Sequence, residues 1–159
     1  MSHIAVLVFA LLIGVVAGLR ALTAPAVVSW AAFLGWIDLD NRWLHWIGHP
    51  ATVAVLTVLA VIELVTDQLP KTPSRKTPPQ FITRVITGGF AGAVLGAAYH
   101  FTWSSLGAGV VGAVLGTLGG YEFRSRLAAA AGRDLPIALL EDVIAVGGGF
   151  LIVYFAGSA

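Results

Sequence analysis

Long apolar runs dominate this chain and limit what it can fold into. They cover residues 4–37, 50–66, 84–101, 104–121 and 136–156. The last four are about 17–21 residues each, the length at which one helix crosses a ~30 Å hydrocarbon layer. Too little charge remains to coat a soluble globule. Of the 159 residues 11% are charged and 58% are apolar, against about 25% and 45–50% in soluble domains. An ordinary soluble enzyme, a disordered chain and a nucleic-acid binder with a basic stripe are thereby excluded. The expectation is one all-α domain over 1–159, a polytopic transmembrane helical bundle.

The first run is too long for one span, since about 34 residues make a helix of about 51 Å. The segment Gly18-Leu19-Arg20-Ala21-Leu22-Thr23-Ala24-Pro25 suggests a break. Gly18 can take the left-handed conformation that ends a helix. Thr23 suits an N-cap, and Pro25 suits a first helical turn. Two short helices follow, over 4–17 and 24–37. Either Arg20 lies in a surface turn between two of six spans, or the first span breaks within the bilayer, leaving five spans and a half-helix. No basic residue precedes the run, unlike a secretory signal peptide, so it is read as a retained membrane segment.

Charge placement favours six spans. The loop 68–83 carries Lys71, Arg75 and Lys76 without an acid, and the loop 123–135 carries Arg124, Arg126 and Arg133. The positive-inside rule puts both in the cytoplasm and both termini outside. Arg20 then joins the basic side instead of sitting within the membrane at high cost. The outer loop 38–49 holds Asp38 and Asp40 against Arg42. Trp30, Trp36, Trp43, Trp46 and Trp103 all fall near outward-facing stretches, as an interfacial belt would. Leu39, Trp43, Trp46 and Ile47 share one face at helical spacing, which predicts an interfacial helix over 38–49.

Glycines recur at every fourth residue: Gly88, Gly92 and Gly96, then Gly112, Gly116 and Gly120, with a shorter pair at Gly14 and Gly18. This glycine-zipper spacing lines one helix face and lets a neighbouring backbone approach. Internal packing of adjacent helices is the plainer expectation. A homo-oligomer interface, or a surface that slides during conformational change, is the sharper one.

The few charges also concentrate. Glu63 and Asp67 stand at i and i+4 on one helix, Arg84 opens the next, and Glu122, Arg124 and Arg126 close the fifth. Glu141 and Asp142 lie about one turn into the sixth. With Arg20 they are expected at the cytoplasmic end of the bundle. One alternative is a static ion-pair network pinning helix ends. The other is a polar path for a small anionic solute, a proton or a cation, with Glu63 as proton carrier. The segment 67–81 contains four prolines and cannot be helical throughout. It is either a stiff connector or a gate over the charged end.

Other chemistry finds little support. The chain has no Cys. His45 and His49 have zinc-compatible spacing but no third ligand. His100, beside Trp103, is read as an interface residue. No phosphate-cradling loop follows a strand, and no Ser/His/Asp or HExxH arrangement occurs. No catalytic residue, metal or cofactor is therefore assigned.

The runs 18–25, Glu63-Leu-Val-Thr-Asp-Gln-Leu-Pro70 with Thr72-Pro-Ser-Arg75, Gly119-Gly-Tyr-Glu-Phe-Arg124 and Leu140-Glu-Asp142 resemble the marks of a bacterial family of small integral membrane proteins. The family is known as domain of unknown function 4126, and the resemblance spans nearly the whole chain. It implies a multi-pass protein of the bacterial inner membrane, and it implies no activity. It adds weight to Arg20, Glu63, Asp67, Arg75, Glu122, Arg124, Glu141 and Asp142.

The units 50–101 and 104–157 share a loose plan of a helix ending in Glu, a basic loop with Pro, and a returning helix. A third, reduced hairpin would be 1–37. Such repeats are common in transporters, whose sites lie between them. Three functions remain in view: a small transporter or channel, a membrane scaffold docking a cytoplasmic partner, and a lipid-phosphate enzyme. The last lacks a metal–phosphate signature.

Overall fold

The first apolar run folds as two helices, α1 (His3–Leu19) and α2 (Thr23–Phe33). The structure is a computed structural model that describes residues 1–39, 43–69, 74 and 76–159. Among the described residues there are four more α-helices: α3 (Pro50–Thr66), α4 (Pro78–Ala97), α5 (Thr102–Ala131) and α6 (Leu135–Ser158). No strand occurs among them. Prolines at the first turns of α3, α4 and α6 suit positions whose N–H groups have no helical partner. Of these helices α5 and α6, with 30 and 24 residues, are long and apolar enough to cross a membrane.

The break between α1 and α2 differs from its expected form. Gly18 stays inside α1; the glycines with positive φ are Gly35 and Gly132. Thr23 is the first residue of α2, and Leu22 before it supplies no side-chain cap. Polar groups from other helices satisfy the break, as described below.

Contacts fix the directions of the helices. α1 and α5 run parallel, His3 meeting Ser104 at 3.0 Å at one end and Gly18 lying against Thr117 at the other. α4 runs antiparallel to both, with Gly88 near Ala17 and Gly109, and Gly96 near Ser105. α2 returns from the break, and α6 lies against both α1 and α2, Gly149 touching Val16 and Val27. α3 packs on α2, where the Trp30 indole donates to Thr57 Oγ1 at 2.9 Å. The helices thus alternate in direction between two ends.

The tightest packing joins α1, α4 and α5. A Cβ on Gly14 would overlap the Gly109 carbonyl, and one on Gly112 or Gly116 would overlap the carbonyl of Leu11 or Val15. A Cβ on Gly92 would come within 2.5 Å of the Ser105 carbonyl. These backbones approach because side chains are missing between them. Gly120 is half-buried, and the adjacent Gly119 faces open space. Gly109, outside the every-fourth count, is the residue on which Gly14, Gly88 and Gly92 converge.

Three other expectations change. The segment 38–49 forms only a 3-10 turn, His45–Gly48, among its described residues. Leu39 and Ile47 are buried there while Trp43 and Trp46 are exposed, so the four do not share a face. A 3-10 turn has three residues per turn, and the 3.6-residue spacing does not apply to it. The loop 123–135 is mostly helix, because α5 continues to Ala131 and stops at the left-handed Gly132. Finally, α5 packs far more extensively on α4 than on α6, so the paired units 50–101 and 104–157 are not the packing units.

Candidate functional site: a buried charge joint at the helix break

The connection between α1 and α2 is buried, which is unusual for a turn. Arg20 is 0% exposed, and Ala21 and Thr23 are nearly so. Its backbone groups need partners there. Arg84 Nη1, from the first half of α4, donates to the Gly18 and Leu19 carbonyls at 2.8 and 2.7 Å. Thr117 Oγ1 of α5 adds a 3.4 Å bond to the Gly18 carbonyl. Across the break, the Glu63 carboxylate of α3 accepts from the Ala21 and Leu22 N–H groups, both at 2.7 Å.

The charges match the helix ends. A cation meets the carbonyl end of α1, and an anion meets the amide end of α2, each the sign favoured by the helix dipole. Glu63 thereby does the work that the sequence suggests for Thr23.

The Arg20 side chain ties two more helices to this point. Its Nη1 donates to Asp67 Oδ2 at 2.5 Å, and its Nε donates to Asp142 Oδ1 at 2.5 Å. Nη2 lies 2.5 Å from the same Asp142 oxygen and 3.9 Å from Glu141 Oε2. Gln68 donates to the other Asp142 oxygen at 2.6 Å. Arg84 Nη2 stands 3.6 Å from Asp67. From α5, Arg124 forks onto Asp134 at 2.8 and 2.5 Å and reaches Glu141 at 3.7 Å.

Arg20, Glu63, Asp67, Arg84, Arg124, Glu141 and Asp142 are therefore brought together. Glu122 and Arg126 are not. They pair with each other at i and i+4 on an exposed face of α5, at 54% and 79% side-chain exposure. Arg75 lies outside the described residues, as do Lys71, Asp40 and Arg42.

Two members escaped sequence reasoning. Gln68 follows Asp67 directly but carries no charge to mark it. Asp134 sits just before α6, and its link to Arg124 depends on α5 extending past residue 123. Among the described residues, no three His, Cys, Asp or Glu side chains converge as a metal site. His49 instead accepts from the Ala51 N–H and caps α3.

The arrangement has two chemical capacities. Its carboxylates can accept protons, and its guanidiniums can hold an anion if the carboxylates yield. Removing Arg20, which is wholly buried between Asp67 and Asp142, would leave buried carboxylate charge poorly compensated.

A family model described as Domain of unknown function (DUF4126) matches residues 7–156. The chain belongs to this family. No curated protein and no solved structure matches it.

Proposed function

We propose that this member of the family is a multi-pass protein of the bacterial inner membrane, a small transporter or channel whose polar site is the buried charge joint. One observation carries the reading. Three arginines and four carboxylates, with Asp134 as a fifth at the exposed rim, meet at one end of an otherwise apolar bundle. Intramembrane ionisable groups typically mark a path for ions, protons or substrates.

The exterior supports a bilayer setting. Ile4, Val58, Ile86, Leu115, Val143 and Leu151, from five different helices, all expose their side chains. An apolar sheath of that extent fits lipid better than water. The short α2, at 11 residues about 16 Å long, does not reach across by itself. Its buried, polar start is the kind of discontinuity that transporters place at a site. The passing species is a small anionic solute, a proton or a cation, and the assembly is a homo-oligomer built through apolar faces.

The pairing of these charges also favours a second reading. A network so fully engaged would serve a scaffold, with the basic loops docking a cytoplasmic partner. One substitution separates the two. In proteoliposomes under a pH or ion gradient, Glu63→Gln is expected to abolish flux while the folded protein is still recovered. Unchanged flux removes Glu63 from the path and favours the scaffold.

A further inference from the structure

The helix α3 is held differently at its two ends. Of its residues only Val53 and Ala60 are buried, and it packs on α2 and the 3-10 turn. Its outward flank, with Val55, Val58, Ile62 and Val65, is exposed. The outer end is anchored by neutral contacts. Thr52 donates to the Trp46 carbonyl at 2.7 Å, and Trp30 donates to Thr57. His49 is extended and Pro50, at the first helical position, has no N–H to tie it back, so a change of direction can fall on the backbone of His49.

The inner end is held by carboxylates and an amide. Glu63 sits on the Ala21 and Leu22 N–H groups, Asp67 on Arg20, and Gln68 on Asp142. Little apolar burial backs these ties, so the position of this end depends on them. By contrast, α1, α4 and α5 interlock through close backbone contact at Gly14, Gly88 and Gly109.

We infer that α3 is a hinged gate over the charge joint, pivoting near His49–Pro50 and latched by Glu63 on the start of α2. Neutralising Glu63 weakens two charge-assisted hydrogen bonds at once and frees the inner end. The charged groups that act on Glu63 are Arg84 of α4 and Asp67 on its own helix, and Asp67 in turn holds Arg20. Glu141 and Asp142 of α6 and Arg124 of α5 stand behind Arg20. As α3 swings out, Arg20 exchanges Asp67 for solvent and the joint opens; in Glu63→Gln it opens without the carboxylate that carries the proton, so flux is lost even as α3 moves.

The inference deepens the transport reading by naming its moving part. It rests on that reading only for its use, because its test reads helix position and not flux. The absence of native Cys allows spin labelling at exposed sites. One pair, Val65→Cys with Leu118→Cys, spans α3 and α5. A second pair, Leu12→Cys with Ile86→Cys, reports on the interlocked helices α1 and α4 from their exposed faces.

Distances are measured by pulsed electron resonance on the full chain in lipid nanodiscs. With Glu63 intact, the first pair should give one narrow distribution. Glu63→Gln should add a population displaced by about one helical turn, ~5 Å, while the second pair stays fixed. Asp67→Asn and Gln68→Leu, which weaken the same end separately, should each add a smaller displaced population. The inference is overturned if the first pair is unmoved in Glu63→Gln and in the double variant Glu63→Gln/Asp67→Asn. It is equally overturned if the second pair broadens alongside it, since α3 would then not move as a separate part. Lost flux with unmoved labels would leave the transport reading standing and remove the gate.

Discussion

Arg20 shows how much one side chain can determine. It is wholly buried, follows α1 directly, and joins α3 to α6 through Asp67 and Asp142. Removing it takes away the cation that Asp67 and Asp142 share and leaves Asp67 to the longer Arg84 contact at 3.6 Å. Breaking a buried pair from one side costs about 3–5 kcal/mol. Arg20→Ala should therefore lower the thermal unfolding midpoint in detergent sharply or prevent recovery of folded protein. Arg126→Ala is the matched comparison, since Arg126 also pairs with a carboxylate but on an exposed face. Its cost should stay within about 0.5 kcal/mol. Equal effects of the two changes would contradict the view of Arg20 as the joint's centre. Charge scarcity alone marks both arginines alike, because charge in an apolar chain is visible whether or not it is buried; only the family resemblance weights Arg20 over Arg126. Burial depends on which helix face points inward, and Arg126 lies beyond the part of α5 that other helices cover.

At the scale of the element, proline and glycine made some helices readable. Pro50 opens α3 and Asp67 follows its last residue, so 50–66 can be delimited from the sequence. The end of α5 was less legible, because hydropathy fades after Tyr121 while helix propensity does not. Ala128–Ala131 are strong helix formers, and the helix runs on to Gly132. The break after α1 was legible in place but not in mechanism. Its caps are Arg84 and Glu63, which lie 65 and 41 residues from their nearer partners and have no local signature. Glycine spacing gave the packing faces of α4 and α5 but missed Gly109, three residues before Gly112. Gly109→Ala would drive a methyl group into the Gly88 carbonyl and the Gly92 Cα. Overpacking of this kind costs about 1–3 kcal/mol, or more where both neighbours are backbone. Gly147 lies on an open face of α6 with nothing near its absent Cβ. There Gly147→Ala should be neutral or stabilise by up to ~1 kcal/mol through helix propensity. Paired unfolding curves in detergent test both, and a tolerated Gly109→Ala would contradict the interlocked core.

At the scale of the molecule, the two ends differ in chemistry. One gathers the charge joint, with Lys76 stacked 4.0 Å over the Tyr121 ring and Arg124 close by. The other carries Trp46, Trp103 and the His3–Phe101 stack. If the bundle spans a membrane, the basic end should face the cytoplasm, and the aromatic end should lie at the outer interface. The alternating helix directions then place Ser74 inside and Trp103, which is 84% exposed, outside. Because the chain has no Cys, each position can be probed alone. In intact bacterial spheroplasts, an impermeant maleimide should label Trp103→Cys and spare Ser74→Cys until the membrane is opened. The reverse pattern would invert the bundle and turn the charge joint towards the outside. Labelling of both before opening would contradict a spanning arrangement. The result also bears on the joint, because the side from which α3 is reached decides which compartment's protons and solutes could meet Glu63.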